Sequence, residues 1–298
     1  MDTVATWQAR GARRALAGHD IFVIDRAPAT ETAEPILLLH GFPTCSFDWR
    51  GVIDLIARQR RVITLDFLGF GLSAKPDQRY SLFEQADIVQ ALLEQTGLDR
   101  FALVTHDMGD SVGGEILARS LDGTLGADIT GRVITNGSIY MDLVQLSAGQ
   151  QFLLALPDQM LPAEQAPDRE LYTAGVASTF APDAAIPADE LEAQWALCEM
   201  ADGHRLLPRL IRYVEERHEH EERWTGAIER HPSPLSIVWG ALDPIAVIAM
   251  ANRLAGARAD AALTIFDDVG HYPMIEAPER LAGEIVRALG EASGPDGR

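Results

Sequence analysis

Residues 101–119 read FALVTHDMGDSVGGEILAR, and the fold turns on the middle of this stretch. The apolar run Phe101-Ala102-Leu103-Val104 is long enough for a buried strand, and Val112, Ile116 and Leu117 recur at helical spacing. Between them, Thr105-His106-Asp107-Met108-Gly109 sets one polar residue at a tip, with a small residue two positions to either side. That is the layout of a nucleophile elbow, a tight strand-to-helix turn that lifts one side chain above a sheet. The flanks must be small because a strained turn presses backbone against backbone. Serine is the common tip residue. Here the tip is Asp107.

Working outward, strand-like and helix-like segments alternate. Residues 3–26 read as two early strands, the better one spanning 19–25. Ile36–Leu39 is a buried strand ending at His40-Gly41-Phe42-Pro43, and a helix is expected over Asp48–Ala57. Arg61–Asp66 is the next strand. Ser81–Thr96 is an amphipathic helix opened by a Ser81/Glu84 capping box and closed by Gly97. Arg132–Asn136 is another strand. From about Ile139 to Trp224 strand-like runs vanish and helical patterns, clearest over 189–201 and 204–217, alternate with breaks at Pro157, Pro162, Pro167, Pro182 and Pro187. Leu235–Trp239, a helix near Ile245–Leu254, the strand Ala262–Phe266 and a helix Pro278–Ala292 resume the alternation, and the tail EASGPDGR is expected to fray. The pattern predicts an α/β protein with a mainly parallel sheet and helices on both faces. The expected division is a core of residues 1–138 and 229–298, with a helical lid of residues 139–228 over the carboxyl edge of the sheet, where such sheets bind ligands.

A formal charge of −19 disfavours nucleic acid and anionic membrane surfaces as partners. Cys45 and Cys198, the only cysteines, lie far apart and form no metal or redox motif. The N-terminal MDTVATWQAR lacks the layout of a signal peptide, and no apolar run approaches the roughly 18 residues of a membrane span. The expectation is a soluble cytoplasmic protein with no metal and no organic cofactor; a homodimer is compatible with the sequence.

Asp243, in WGALDP, and His271, in DDVGHYP, each follow the end of a predicted strand. Nucleophile, acid, histidine is the chain order that accompanies such an elbow, and all three can meet at one edge of the sheet. The backbone amides of Phe42 and Met108 are the expected oxyanion hole. A carboxylate at the tip changes the chemistry. Already ionised near neutrality, it needs no base before it attacks. Its natural target is a saturated carbon carrying a leaving group, which yields an alkyl–enzyme ester. Attack on a carboxylic ester would leave an anhydride, so an esterase is disfavoured. His271, oriented by Asp243, is then free to activate water for the second step.

At these residues the chain resembles the α/β-hydrolase superfamily, in its epoxide hydrolase and haloalkane dehalogenase branch, and within it the mesoderm-specific transcript proteins. Leu37–Trp49 (LLLHGFPTCSFDW), Ile63–Pro76 (ITLDFLGFGLSAKP), Tyr80–Val89 (YSLFEQADIV), THDMGD, LDP and Gly270–Pro278 (GHYPMIEAP) carry the likeness. The resemblance implies an α/β-hydrolase fold with a helical cap. Haloalkane dehalogenases hold halide with a Trp after the nucleophile and an Asn at the position of Phe42, where this chain has Met108 and Phe42. Fluoroacetate dehalogenases carry arginines just past the nucleophile, where this chain has Gly109-Asp110-Ser111. Epoxide hydrolases of the branch use lid tyrosines to protonate the epoxide oxygen, and Tyr213 sits where one is expected; Tyr140 and Tyr172 are candidates for a second. The resemblance therefore implies hydrolysis of a small apolar epoxide, with a dehalogenase as alternative and a ligand-binding protein of little turnover as the reading from another class.

His40, Trp49, His106, Tyr140, Tyr172 and Trp195 are candidates to line the pocket, although His40 fits better as a turn-stabilising hydrogen-bond partner. Asp110 fits a helix N-terminal charge better than a partner that tunes Asp107. Gly69-Phe70-Gly71 lacks the remaining elements of a dinucleotide fingerprint. In His218-Glu219-His220-Glu221-Glu222 the histidines diverge on a helix, which favours a solvated helix end over a metal site.

Overall fold

The computed structural model describes residues 3–28 and 33–290. Eight strands form one sheet: β1 (Ala12–Leu16), β2 (His19–Arg26), β3 (Ala33–Leu39), β4 (Arg60–Leu65), β5 (Arg100–His106), β6 (Asp128–Thr135), β7 (Leu235–Gly240) and β8 (Ala262–Phe266). Their spatial order is β1-β2-β4-β3-β5-β6-β7-β8. β2 pairs antiparallel with both β1 and β4, and all other pairs are parallel. Helices cover both faces, so β3, β5 and β7 are apolar almost without alternation, as a strand buried on both sides requires. Asp107, Asn136, Asp243 and His271 all lie beyond the carboxyl ends of parallel strands.

Two expectations need correcting at the N-terminus and in the segment between β6 and β7. Val4–Arg10 is a helix, capped by Thr3 and buried through Trp7, so residues 3–26 hold a helix and two strands. The expected helix over 204–217 is broken. Ala201 and Asp202 take left-handed backbone angles, and Pro208 opens a new turn where its missing N–H costs nothing. Tyr213–Glu219 is therefore a separate short helix. Ser81 caps the helix Leu82–Thr96 through the Phe83 amide, while Glu84 turns to His19 and Gln78 instead of closing a capping box. The last helix is Pro278–Ala288; the tail EASGPDGR lies outside the described residues.

The segment between β6 and β7 contains helices joined by loops and no strand among its described residues, and it is tied to the core by buried polar contacts as well as apolar packing. Arg217 reaches Ser111, Ser138 and Asp107, and Arg50 pairs with the buried Glu190. No helix among the described residues is long and apolar enough to cross a membrane.

Candidate active site

The elbow is strained. Asp107 joins β5 to the helix Met108–Leu121 with φ 51° and ψ −113°, a region that a residue with a Cβ enters only when its surroundings hold it there. Those surroundings are backbone. A Cβ on Gly109 would lie 2.7 Å from the carbonyl oxygens of both Leu39 and His40, and one on Gly41 would lie 2.6 Å from the Asp107 Cβ. The Asp107 side chain is thereby pressed toward the loop after β3, where the Phe42 amide donates to its Oδ2 at 2.9 Å. Met108 is the first residue of the helix, so its amide belongs to the free N-terminal set.

Opposite the elbow, His271 Nδ1 pairs with Asp243 Oδ2 at 2.7 Å, both side chains fully buried. Burial opposes the imidazolium charge, but the Asp243 carboxylate outweighs it by charge and hydrogen bond. Asp107 adds to the effect, and the His271 pKa is held up at about 9. Asp243 is itself fixed. Its Oδ1 accepts from the Ile245 and Ala246 amides and its Oδ2 from the Asn136 side chain. Glu276 anchors the histidine loop by accepting from the Gly270, Tyr272 and Ala181 amides, while the His271 amide donates to the Thr179 carbonyl at 3.0 Å.

A cavity of about 70 Å³ opens between the sheet edge and the helical segment, with His271, Tyr272, Phe42, Leu153, Tyr172 and Val176 in its wall. Among the described residues, no acidic residue, lysine or arginine lines it. Tyr213 is buried against Phe42, with ring centroids 5.5 Å apart. Burial and the nearby Asp107 carboxylate both push its phenol pKa up.

The pocket candidates separate. Tyr172 lines the cavity, its hydroxyl donating to the Pro43 carbonyl at 3.3 Å. Tyr140 does not: its hydroxyl donates to Glu229 at 2.8 Å and Arg253 covers its ring, away from the cavity. Trp195 packs behind Tyr172, and Trp49 is core. His40 receives the Phe67 amide on Nε2 and directs Nδ1 to the Gly41 carbonyl, so it braces the loop that carries Phe42. His106 lies against His271, and burial together with that neighbour drops its pKa to about 3, leaving it neutral. Asp110 is buried in the first turn of the elbow helix, where burial raises its pKa well above the ordinary aspartate value, assisted by Asp107 and opposed by Thr105 and Arg217. His220 sits at the junction of two helices, packed on Phe83 and Trp224, and no metal-holding cluster occurs among the described residues.

Asn136, Arg217, Tyr272 and Glu276 escaped the sequence reading. A strand ending in Asn-Gly marks Asn136, whose φ of 47° is the kind of position that residue tolerates. Tyr272 stands beside the histidine in a quoted motif but looks like core. Nothing in the local pattern points to Arg217 or Glu276.

The model of the alpha/beta hydrolase fold matches residues 34–278. The chain belongs to that family. It is 40% identical to LipZ of Mycobacterium tuberculosis over 288 residues, covering 96% of this chain and 98% of LipZ. It is 33% identical to the mesoderm-specific transcript protein of Mus musculus, covering 92% of this chain and 84% of that protein. Among solved structures, an alpha/beta hydrolase fold protein from Burkholderia ambifaria superposes with a TM-score of 0.74 at 25% identity, over 92% of this chain and 96% of that one. In this α/β-hydrolase, the elbow at Asp107, the His271–Asp243 pair and the Phe42 amide gather at the carboxyl edge of the sheet.

Proposed function

We propose that this hydrolase opens epoxides to vicinal diols through an alkyl ester on Asp107. The observation that carries the reading is the carboxylate at the elbow tip, aimed at the Phe42 amide, with the His271–Asp243 pair beside it. In the first step an Asp107 oxygen forms a bond to an epoxide carbon, the ring C–O bond breaks, and its oxygen takes the Tyr213 proton. In the second, His271 removes a proton from water. The hydroxide adds to the ester carbonyl of Asp107, and the resulting oxyanion faces the Phe42 and Met108 amides. Collapse breaks the ester C–O bond, the leaving alkoxide takes the proton of the tetrahedral hydroxyl to become the diol, the carboxylate is restored, and the proton taken by His271 returns to the Tyr213 phenolate.

Charge supports this division of labour. Esterification removes the negative charge of Asp107, one of the influences that hold the His271 pKa up, so the imidazole loses its proton more readily when a base is needed. The wall of the cavity supports a neutral, apolar substrate, because its one ionisable base, His271, is already paired with Asp243 and the rest of the lining is neutral. Phe42 and Met108 offer no side-chain donor for halide, which ranks dehalogenation second.

The test is trapping. His271→Gln, incubated with a panel of neutral epoxides and digested, should carry a substrate-mass adduct on the peptide holding Asp107, while wild type releases diol. Absence of adduct and of diol across epoxides, with haloalkanes turned over instead, would replace this reading by the dehalogenase one. Inertness toward both classes would point to a binding protein.

A further inference from the structure

Although the buried Asp110 lies near enough to feel its charge, Arg217 forms no ion pair among the described residues. Its side chain is 3% exposed, and each of its hydrogen bonds ends on a neutral oxygen: Nε on the Ser111 hydroxyl at 2.7 Å, Nη1 on the Ser138 carbonyl at 3.1 Å, and Nη2 on the Asp107 carbonyl at 3.3 Å. The same guanidinium lies 4.9 Å from the centre of the Tyr213 ring, one turn back on the same helix. Burying a guanidinium without a carboxylate partner costs several kcal/mol, and apolar packing would anchor the helix more cheaply. The charge therefore needs a use.

We infer that Arg217 is the positioning residue that lets Tyr213 act as the acid, by keeping one positive charge beside both groups as negative charge passes between them. The inference rests on the epoxide reading above. Before attack the negative charge is on the Asp107 carboxylate. As an Asp107 oxygen bonds to carbon, the electron pair of the breaking C–O bond moves to the epoxide oxygen, which takes the phenol proton. Asp107 is then a neutral ester and the negative charge is a Tyr213 phenolate. The guanidinium holds the Asp107 main chain and packs on the Tyr213 ring, so one positive charge stays beside both residues while the negative charge passes between them. Of the influences on the phenol, burial and Asp107 oppose ionisation, whereas Arg217 favours it. Once Asp107 is esterified, one opposing influence is gone and Arg217 remains.

The ester-hydrolysis step asks nothing of Tyr213, so it should not depend on Arg217. Single-turnover kinetics with a neutral, unactivated epoxide separate the two steps. Arg217→Met should slow formation of the alkyl ester by about 100-fold, the scale of one lost acid–base contribution, and leave decay of the ester within a few-fold of wild type. Arg217→Lys should recover most of the loss. In a Tyr213→Phe background, Arg217→Met should cost little further, because the group it serves is absent. Equal slowing of both steps, no rescue by lysine, or the full loss persisting in Tyr213→Phe would assign Arg217 to structure alone and overturn the inference. If Arg217→Met does not fold, the lysine variant with and without Tyr213→Phe carries the same comparison. Wild type that never forms the ester with any epoxide would overturn the epoxide reading itself, which is a different result from an active wild type with an indifferent Arg217.

Discussion

Gly41 and Asp107 approach so closely that a Cβ on the glycine would lie 2.6 Å from the aspartate Cβ and 2.9 Å from its Oδ2. The loop after β3 thus sets the direction of the carboxylate from two sides, by steric contact at Gly41 and by the Phe42 amide. Gly41→Ala should swing the carboxylate off line and lower kcat/KM by about 100-fold, the scale of a roughly 1 Å misplacement. Circular dichroism should remain native. Wild-type kinetics with epoxide in a folded Gly41→Ala protein would show that the contact does not aim Asp107.

The His271–Asp243 pair makes stability depend on pH in a definite direction. The folded pKa of His271 is raised from 6.5 to about 9, so the folded state binds a proton more tightly than the unfolded chain. The stabilisation is complete below about pH 6.5 and is lost as pH rises through about 9. Melting temperatures measured from pH 6 to 10 should fall more steeply for wild type than for Asp243→Asn, in which the raised pKa is lost. Parallel curves would contradict the assignment.

Glu276 holds the amides of Gly270 and Tyr272, in the histidine loop, and of Ala181, in the helical segment. Removing this acceptor leaves buried donors unmet, at a cost of about 1–3 kcal/mol. Glu276→Ala should therefore lose stability in that range. Hydrogen exchange should quicken at residues 179–182 and 270–272 together, because one carboxylate binds both. Faster exchange in only one of the two stretches would show that they are not coupled through it.

Asp110 is buried, and burial disfavours its charged form, so its neutral amide of the same shape should change little that the site can sense. Asp110→Asn should leave the acid limb of the pH–rate profile in place and kcat within a few-fold of wild type. A displaced limb would mean that Asp110 ionises in the cycle and acts on Asp107.

The cavity, at about 70 Å³, is roughly half the 150 Å³ that accommodates a benzene ring, so its wall decides what enters. Val176→Phe should raise KM for aryl-substituted epoxides at least several-fold while sparing the smallest terminal epoxides. A uniform fall in kcat with unchanged KM would place Val176 away from the bound substrate.

How far the site was legible varies with how local its residues are. Asp107, Phe42, Asp243 and His271 each follow a strand within a few residues, so period, order and turn composition locate them in one dimension. The helical segment was legible as helical but not in its breaks. Ala201 and Asp202 take left-handed angles without being glycines, and the sequence reading passed over the Asp202-Gly203 turn signal at that break. Tyr140 and Tyr172 looked equivalent because a tyrosine at helical or loop spacing carries no sign of its partner. Glu229, far along the chain, claims the Tyr140 hydroxyl.

By itself the sequence determined the alternating layers, the elbow and the carboxylate at its tip, because these follow from backbone sterics and short-range periodicity acting over a few residues. Only the tertiary structure decided which charges the site contains. Arg217, Asn136 and Glu276 act through contacts across the fold, with Ser111 and Asp107, with Asp243, and with Ala181. Burial and pairing then shift the titrating groups: burial raises the Asp110 pKa, while Asp243 outweighs burial and holds that of His271 at about 9. Pairing and desolvation are properties of the packed interior, and no local pattern encodes them. The tip of the elbow specifies the kind of bond that can form, and the interior around it specifies where the charge goes when it does.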